Sequence, residues 1–162
     1  MEFPPFPTDE GSPDAPRDRA IQQIVQIIFP LVRLGSHRAS QALAQYELTI
    51  AQYHTLAYLS FRGRRCPMGE LAEAVLQNAA TMTGIAGRLE DKGLVCRKYG
   101  RADRRKVYVV LQEPGQQIVE QVTRAWYQSG MVLLDDLNQE MLEGTVQVLQ
   151  MMLDRLQPGK TD

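Results

Sequence analysis

"RLEDKGLVCRKYGRADRRKVYVVL", residues 88–111, sets five arginines and three lysines beside three acids and flanks the charge with two apolar runs. The runs "LVCRKY" (94–99) and "KVYVVL" (106–111) are rich in β-branched and aromatic residues, and the Gly-Arg-Ala-Asp between them reads as a turn. Two strands joined in this way hold positive charge at a tip, where a polyanion can receive it.

Upstream, "AATMTGIAGRLEDK" predicts a helix capped by Asn78 and stopped by Gly93, with Met82, Ile85, Ala86 and Leu89 facing inward. "PMGELAEAVL" predicts a shorter helix with Pro67 in its first turn. Before that, Thr49 and Gln52 in "LTIAQYHTLAYLSFRG" have the spacing of a capping box, and Gly63 closes the helix they open. Helix, tight turn, helix and hairpin together make a winged helix-turn-helix, whose second helix enters a major groove.

The outward positions of that second helix, Ala79, Ala80, Thr81, Thr83, Gly84, Gly87 and Arg88, are mostly small or hydroxylated. A face of this kind lets the helix backbone come close to DNA. Thr81 and Thr83 suit phosphates or base edges, and Arg88 suits a phosphate. Each glycine costs a helix roughly 1 kcal/mol relative to alanine, a cost that close approach to DNA would explain. At the hairpin tip, Arg101, Arg104 and Arg105 are placed to enter an adjacent minor groove, with Asp103 expected to pair with the Arg105 guanidinium.

The 162 residues carry a formal net charge of −1, which hides a partition. Residues 62–106 hold eleven basic residues against five acids, and the rest hold seven against fourteen. Such asymmetry points to a surface that meets an anion. With 44% apolar residues the chain can bury a core, and no apolar run reaches the ~18 residues of a membrane span. Neither a secretory signal nor a disulfide framework is evident, so the expected location is cytoplasmic.

Both ends of the chain have helical spacing. Ile21, Ile24, Val25, Ile28, Leu31 and Val32 form one stripe, which Pro30 is expected to kink rather than end. Ile118, Val122, Ala125 with Trp126, and Leu133 with Leu134 form a second, and Asn138 is placed to cap a third through Leu142, Val146, Leu149, Leu153 and Leu156. These stripes are wider than one winged helix can cover, which implies a dimer. The proline-rich residues 1–17 are expected to be a disordered tail.

The runs "LTIAQYHTLAYL", "ELAEAVLQNAATMTGIAGRLEDKGLVCR" and "ADRRKVYVVLQEPG" resemble the MarR-type (multiple antibiotic resistance regulator) winged-helix transcription factors over residues 18–156. The Asp-x-Arg of the wing falls at Asp103 and Arg105. The resemblance implies a mainly α (α+β) fold, a single domain over 18–162, with the winged helix at 49–112 and dimerisation helices at 18–45 and 113–157. It also implies a cytoplasmic homodimer on a palindromic double-stranded DNA operator, often a repressor released by a small aromatic or lipophilic ligand. On that basis the DNA-binding residues are Asn78, Ala79, Ala80, Thr81, Thr83, Gly84, Arg88, Arg101, Asp103, Arg104 and Arg105. Three positions depart from the family pattern: Gln112 for a threonine cap, Gly84 for a basic contact, and Pro67 for a Ser or Thr cap.

An effector cleft is expected where the first, second and fifth helices meet the winged helix, near Tyr53, His54, Leu56, Tyr58 and Trp126. No cofactor and no metal site is expected; His37 and His54 read as partly buried and lack ligands at metal spacing. Nucleophile-elbow and phosphate-loop signatures are absent, so an enzyme reading has no chemical centre. Two alternatives remain: a protein-interaction module using the same basic face, and a thiol-based redox sensor using Cys66 or Cys96.

Overall fold

In the computed structural model, which describes residues 16–100, 103 and 105–156, the first apolar stripe becomes helix α1 (Pro16–Ala44), continuous through Pro30. The helix takes Pro16 and Arg17 from the segment expected to be a tail; a proline's fixed φ suits a first helical turn. The rest of that tail, 1–15, lies outside the described residues.

Helix α2 (Ile50–Phe61) opens on the expected capping box. Thr49 Oγ1 accepts from the Gln52 amide at 3.2 Å, and Gln52 Oε1 accepts from the Thr49 amide at 2.9 Å. Next comes a strand that the sequence did not disclose, β1 (Arg65–Pro67). It pairs antiparallel with β3 (Val107–Leu111), Cys66 opposite Val109. Three residues ending in proline are too few for a period-2 pattern, and a proline is tolerated there because β1 is an edge strand. Pro67 is therefore extended (φ −59, ψ 140) and precedes helix α3 (Met68–Ala74) without a side-chain cap, rather than lying inside its first turn.

Helix α4 (Ala79–Asp91) begins as Asn78 Oδ1 accepts from the Thr81 amide at 2.8 Å. It ends in paired backbone bonds, Gly93 N to Glu90 O and Leu94 N to Leu89 O, with Gly93 at φ 70. This arrangement turns the chain directly into β2 (Val95–Tyr99) and needs a residue that tolerates the left-handed region. The sheet order is β1-β3-β2, with Val95 opposite Leu111 and Tyr99 opposite Val107. Met82, Ile85, Ala86 and Leu89 are all buried as expected, with Leu56, Leu59, Leu71, Val95 and Val109 around the same core.

Helix α5 (Glu113–Leu134) starts two residues before Gly115, and that glycine is a close-approach position. A Cβ there would lie 2.5 Å from Leu94 O and 2.8 Å from Leu111 Cδ1. Gln112 does not replace the missing threonine cap: its side-chain amide donates to Cys96 Sγ at 3.1 Å and Val110 O at 3.2 Å.

The chain divides inside α5 into two compact units, one through Val119 and one from Glu120. The second unit holds the remainder of α5 and helix α6 (Gln139–Leu156), opened by Asn138 Oδ1 accepting from the Met141 amide at 2.9 Å. Helix α6 buries none of its residues, so the stripe of Val146, Leu149, Leu153 and Leu156 stays exposed. Met131, Val132, Leu133 and Leu134 of α5 are exposed too, as are Ile21, Ile24, Ile27, Leu31 and Val32 of α1. Among the described residues no helix is long and apolar enough to cross a membrane.

Candidate nucleic-acid interface

Helix α4 buries one side in the first unit and leaves Ala79, Ala80, Thr81, Thr83 and Arg88 exposed, with Gly84 and Gly87 half-buried. Asn78 spends its side-chain oxygen on the cap, which leaves its NH2 group as the donor for an incoming partner. The Thr83 hydroxyl donates to Ala79 O at 2.9 Å, so toward a ligand it is an acceptor unless it rotates. Arg88 folds back along its own helix, its Nη2 3.6 Å from where a Cβ on Gly84 would stand.

The wing is closed by Gly100 N donating to Lys106 O at 2.8 Å and Lys106 N donating to Asp103 O at 3.1 Å. Asp103 does not pair with the Arg105 guanidinium as expected. Its Oδ1 accepts from the Arg105 backbone amide at 2.9 Å, because a short carboxylate reaches the amide two residues on more easily than a long side chain's end. Asp103 thus shapes the turn, and the Arg105 guanidinium is left for another partner. The expected contacts Arg101 and Arg104 lie outside the described residues.

Much of the basic window is already neutralised. Arg62 pairs with Glu70 at 2.8 Å, Arg64 with Glu113 at 2.9 Å, Lys92 with Glu47 at 2.9 Å and Arg97 with Glu90 at 2.6 Å. The Lys92 hydrogen bond and charge hold the Glu47 carboxyl below its usual range, and Arg97's backbone and side-chain donors do the same for Glu90. Arg65 lies over the Tyr108 ring, 4.1 Å from its centre.

Arg88, Lys98, Arg105 and Lys106 make no ion pair among the described residues. Arg88 lies on α4 and the other three lie on the wing, where Arg105 and Lys106 line a groove with Thr83 of α4. Lys98 and Lys106 belong to the basic window, and their lack of an acidic partner shows only once Arg97 is seen paired with Glu90. Between α3, Thr83 and the wing runs a groove of about 540 Å³, lined by Met68, Arg97, Tyr99, Arg105, Lys106 and Tyr108 among others.

The residues expected around an effector separate by face. Tyr53 and Leu56 are buried in the core of the first unit, whereas His54 is exposed and Tyr58 half-buried on α2. Trp126 is half-buried in the second unit. Neither the groove beside the wing nor an apolar recess of about 420 Å³ in the second unit is lined by any of these five. His37 is exposed, like His54, because each falls on the outer side of its helix. Burial first, then the nearby Glu70 charge, pushes the Cys66 thiol up, which disfavours the thiolate that redox sensing needs.

The sequence model of the MarR family matches residues 48–107, the stretch from the α2 cap to the second wing strand. No curated protein matches the sequence. Among solved structures the chain is similar to S. aureus MepR in a MepR–DNA complex, at 26% identity and a TM-score of 0.68, covering 81% of this chain and 96% of that one. It is similar to AbsC, a MarR family transcriptional regulator from Streptomyces coelicolor, at 26% identity and a TM-score of 0.70, covering 88% and 95%. A MarR family protein from Bacillus stearothermophilus shares the fold at 21% identity and a TM-score of 0.77, covering 88% and 99%.

Proposed function

The chain carries the MarR-type winged helix-turn-helix, and from that premise we propose that it is a homodimeric, sequence-specific DNA-binding transcription regulator. One observation carries the proposal: among the described residues Arg88 on the outward face of α4 and Lys98, Arg105 and Lys106 on the wing make no ion pair, and Arg105 and Lys106 line a groove with Thr83 of α4. In this reading α4 lies in a major groove and the wing follows the backbone beside it. Asn78, Ala79, Ala80, Thr81, Thr83 and Gly84 face the bases, and Asp103 fixes the turn that presents Arg105. The similar MepR structure, solved with DNA, supports the same use of the fold.

Dimerisation is proposed from the apolar stripes of α1, α5 and α6, which are exposed in a single copy. Exposed apolar stripes of this kind, present on each of the two units, mark an interface. Two copies would present two α4 helices to major grooves about 34–36 Å apart, one turn of DNA. The test is selection of bound duplexes from a random pool with the purified protein. An inverted repeat with half-sites about one turn apart, bound by two protomers, is expected; recovery of no common sequence would overturn the proposal. A protein-interaction module with the same basic face would leave such a pool unenriched.

Control by a small aromatic or lipophilic effector, with the protein acting as a repressor, forms the second part of the proposal. The recess of the second unit, walled by Tyr127, Met131, Leu134, Leu137 and Leu142, has the apolar character such a ligand needs. A ligand acts only through its differential affinity for the DNA-competent and incompetent forms. A panel of aromatic acids and phenols should contain one that lowers operator affinity without dissociating the dimer. If no compound does so and a Cys66→Ala, Cys96→Ala variant loses a response to peroxide, the thiols are the switch instead.

A further inference from the structure

We infer that Glu90 is a positioning residue that latches the wing to the recognition helix and withholds the Arg97 charge from DNA. Glu90 lies in the last turn of α4, and Arg97 lies in β2, beyond the turn closed by Gly93. One carboxylate oxygen accepts from the Arg97 backbone amide at 2.7 Å. The other accepts from Arg97 Nε at 2.7 Å and lies 2.6 Å from Nη2. A single side chain therefore holds both the backbone and the guanidinium of one strand residue.

The sheet register explains why that amide is available. Leu94 O accepts from Gln112 N, and Gly100 N donates to Lys106 O, so the even-numbered residues of β2 form the hydrogen-bonded pairs with β3. Arg97 belongs to the odd set, whose amides point away from β3. Because β2 is an edge strand, they point at no other strand either. Without Glu90 the Arg97 amide would face water at the base of the wing, and beyond the turn and the buried Val95 no polar contact among the described residues would tie the strand to α4. With Glu90 the angle between α4 and the wing is fixed at a second point, three residues before the tip begins at Gly100.

The latch also sets which cations reach DNA. Arg97 lines the groove beside Thr83, next to Arg105 and Lys106, yet its charge is matched by Glu90. This inference rests on the proposed DNA-binding function, and the test keeps the two apart.

The experiment compares wild type with Glu90→Gln and with the Glu90→Gln, Arg97→Ala double variant as full chains. Duplexes are the tightest site recovered by selection and a random-sequence control of the same length. Glu90→Gln should lower the ratio of selected-site to random affinity about two- to fivefold, the range a part-exposed ion pair can supply. It should also steepen the salt dependence on random DNA by about 0.9 per subunit, as one more cation reaches a phosphate. The double variant should lose that extra slope without regaining the ratio. Amide exchange at Arg97, read without DNA, should accelerate in Glu90→Gln. A purely structural loss would weaken both duplexes alike and leave the slope unchanged. An unchanged ratio, slope and Arg97 exchange rate would overturn the latch while leaving DNA binding intact. A wild type that binds neither duplex would overturn the DNA-binding proposal itself.

Discussion

Replacing Gly84 with alanine separates two roles of the recognition helix that most substitutions would confound. In the free protein a Cβ at position 84 meets nothing closer than Arg88 Nη2 at 3.6 Å, ordinary van der Waals contact with the end of a flexible side chain. At Gly87 a Cβ meets nothing within 4 Å. Neither glycine has a left-handed backbone, so neither is required by the fold. Gly84→Ala should therefore stabilise α4 by about 1 kcal/mol, the ordinary propensity difference. For a chain of this length that raises the melting temperature by roughly 2–4 °C. If the α4 backbone packs closely on DNA at this point, the same methyl overpacks the complex by about 1–3 kcal/mol. At the middle of that range operator affinity falls by more than tenfold. Thermal melts by circular dichroism and titration of a labelled operator read the two effects independently. Higher stability with unchanged affinity would refute close approach at Gly84. Lower stability would refute the view that the site is sterically open.

Arg105→Ala should weaken selected and random DNA together and flatten the salt slope by about one contact per subunit, measured by anisotropy across a salt series. Gly115→Ala should destabilise by about 1–3 kcal/mol in a denaturant melt, because its Cβ would stand 2.5 Å from the Leu94 carbonyl oxygen and the backbone must shift. The Glu90 carboxyl titrates below its usual range in the folded chain, with Arg97's backbone amide the first cause and its side chain the second. Its contribution to stability is thus fully present above the unfolded Glu value of about 4.3 and is lost as pH falls through the lower folded value. The difference in melting temperature between wild type and Glu90→Gln should accordingly be constant near neutral pH and shrink in acid.

The legible parts of the fold were those where one side chain performs a local task. Thr49 with Gln52, Asn78, Gly93 and Asn138 each end or begin a helix where their chemistry requires. Met82, Ile85, Ala86 and Leu89 read as an inward face because their spacing has the helical period. What stayed illegible depended on pairing between distant segments. Strand β1 exists only because β3 offers it a partner, and Pro67 joins it at an edge where no amide is needed. The basic window was visible as charge, but Arg62, Arg64, Lys92 and Arg97 are neutralised by acids seven or more residues away in the chain. Spacing alone could not separate them from Arg88, Lys98, Arg105 and Lys106. Asp103 shows the same limit at short range, since a two-residue spacing serves a backbone amide as readily as a guanidinium.

The salt dependence of wild-type binding to a selected duplex tests DNA recognition by α4 and the wing most directly. If Arg88, Lys98, Arg105 and Lys106 of each subunit, which make no ion pair among the described residues, all meet phosphates, a dimer makes eight such contacts and the log–log slope approaches about −7. A steep slope that flattens in a variant lacking those four charges is the expected result. A slope near zero, or one indifferent to their removal, would contradict it.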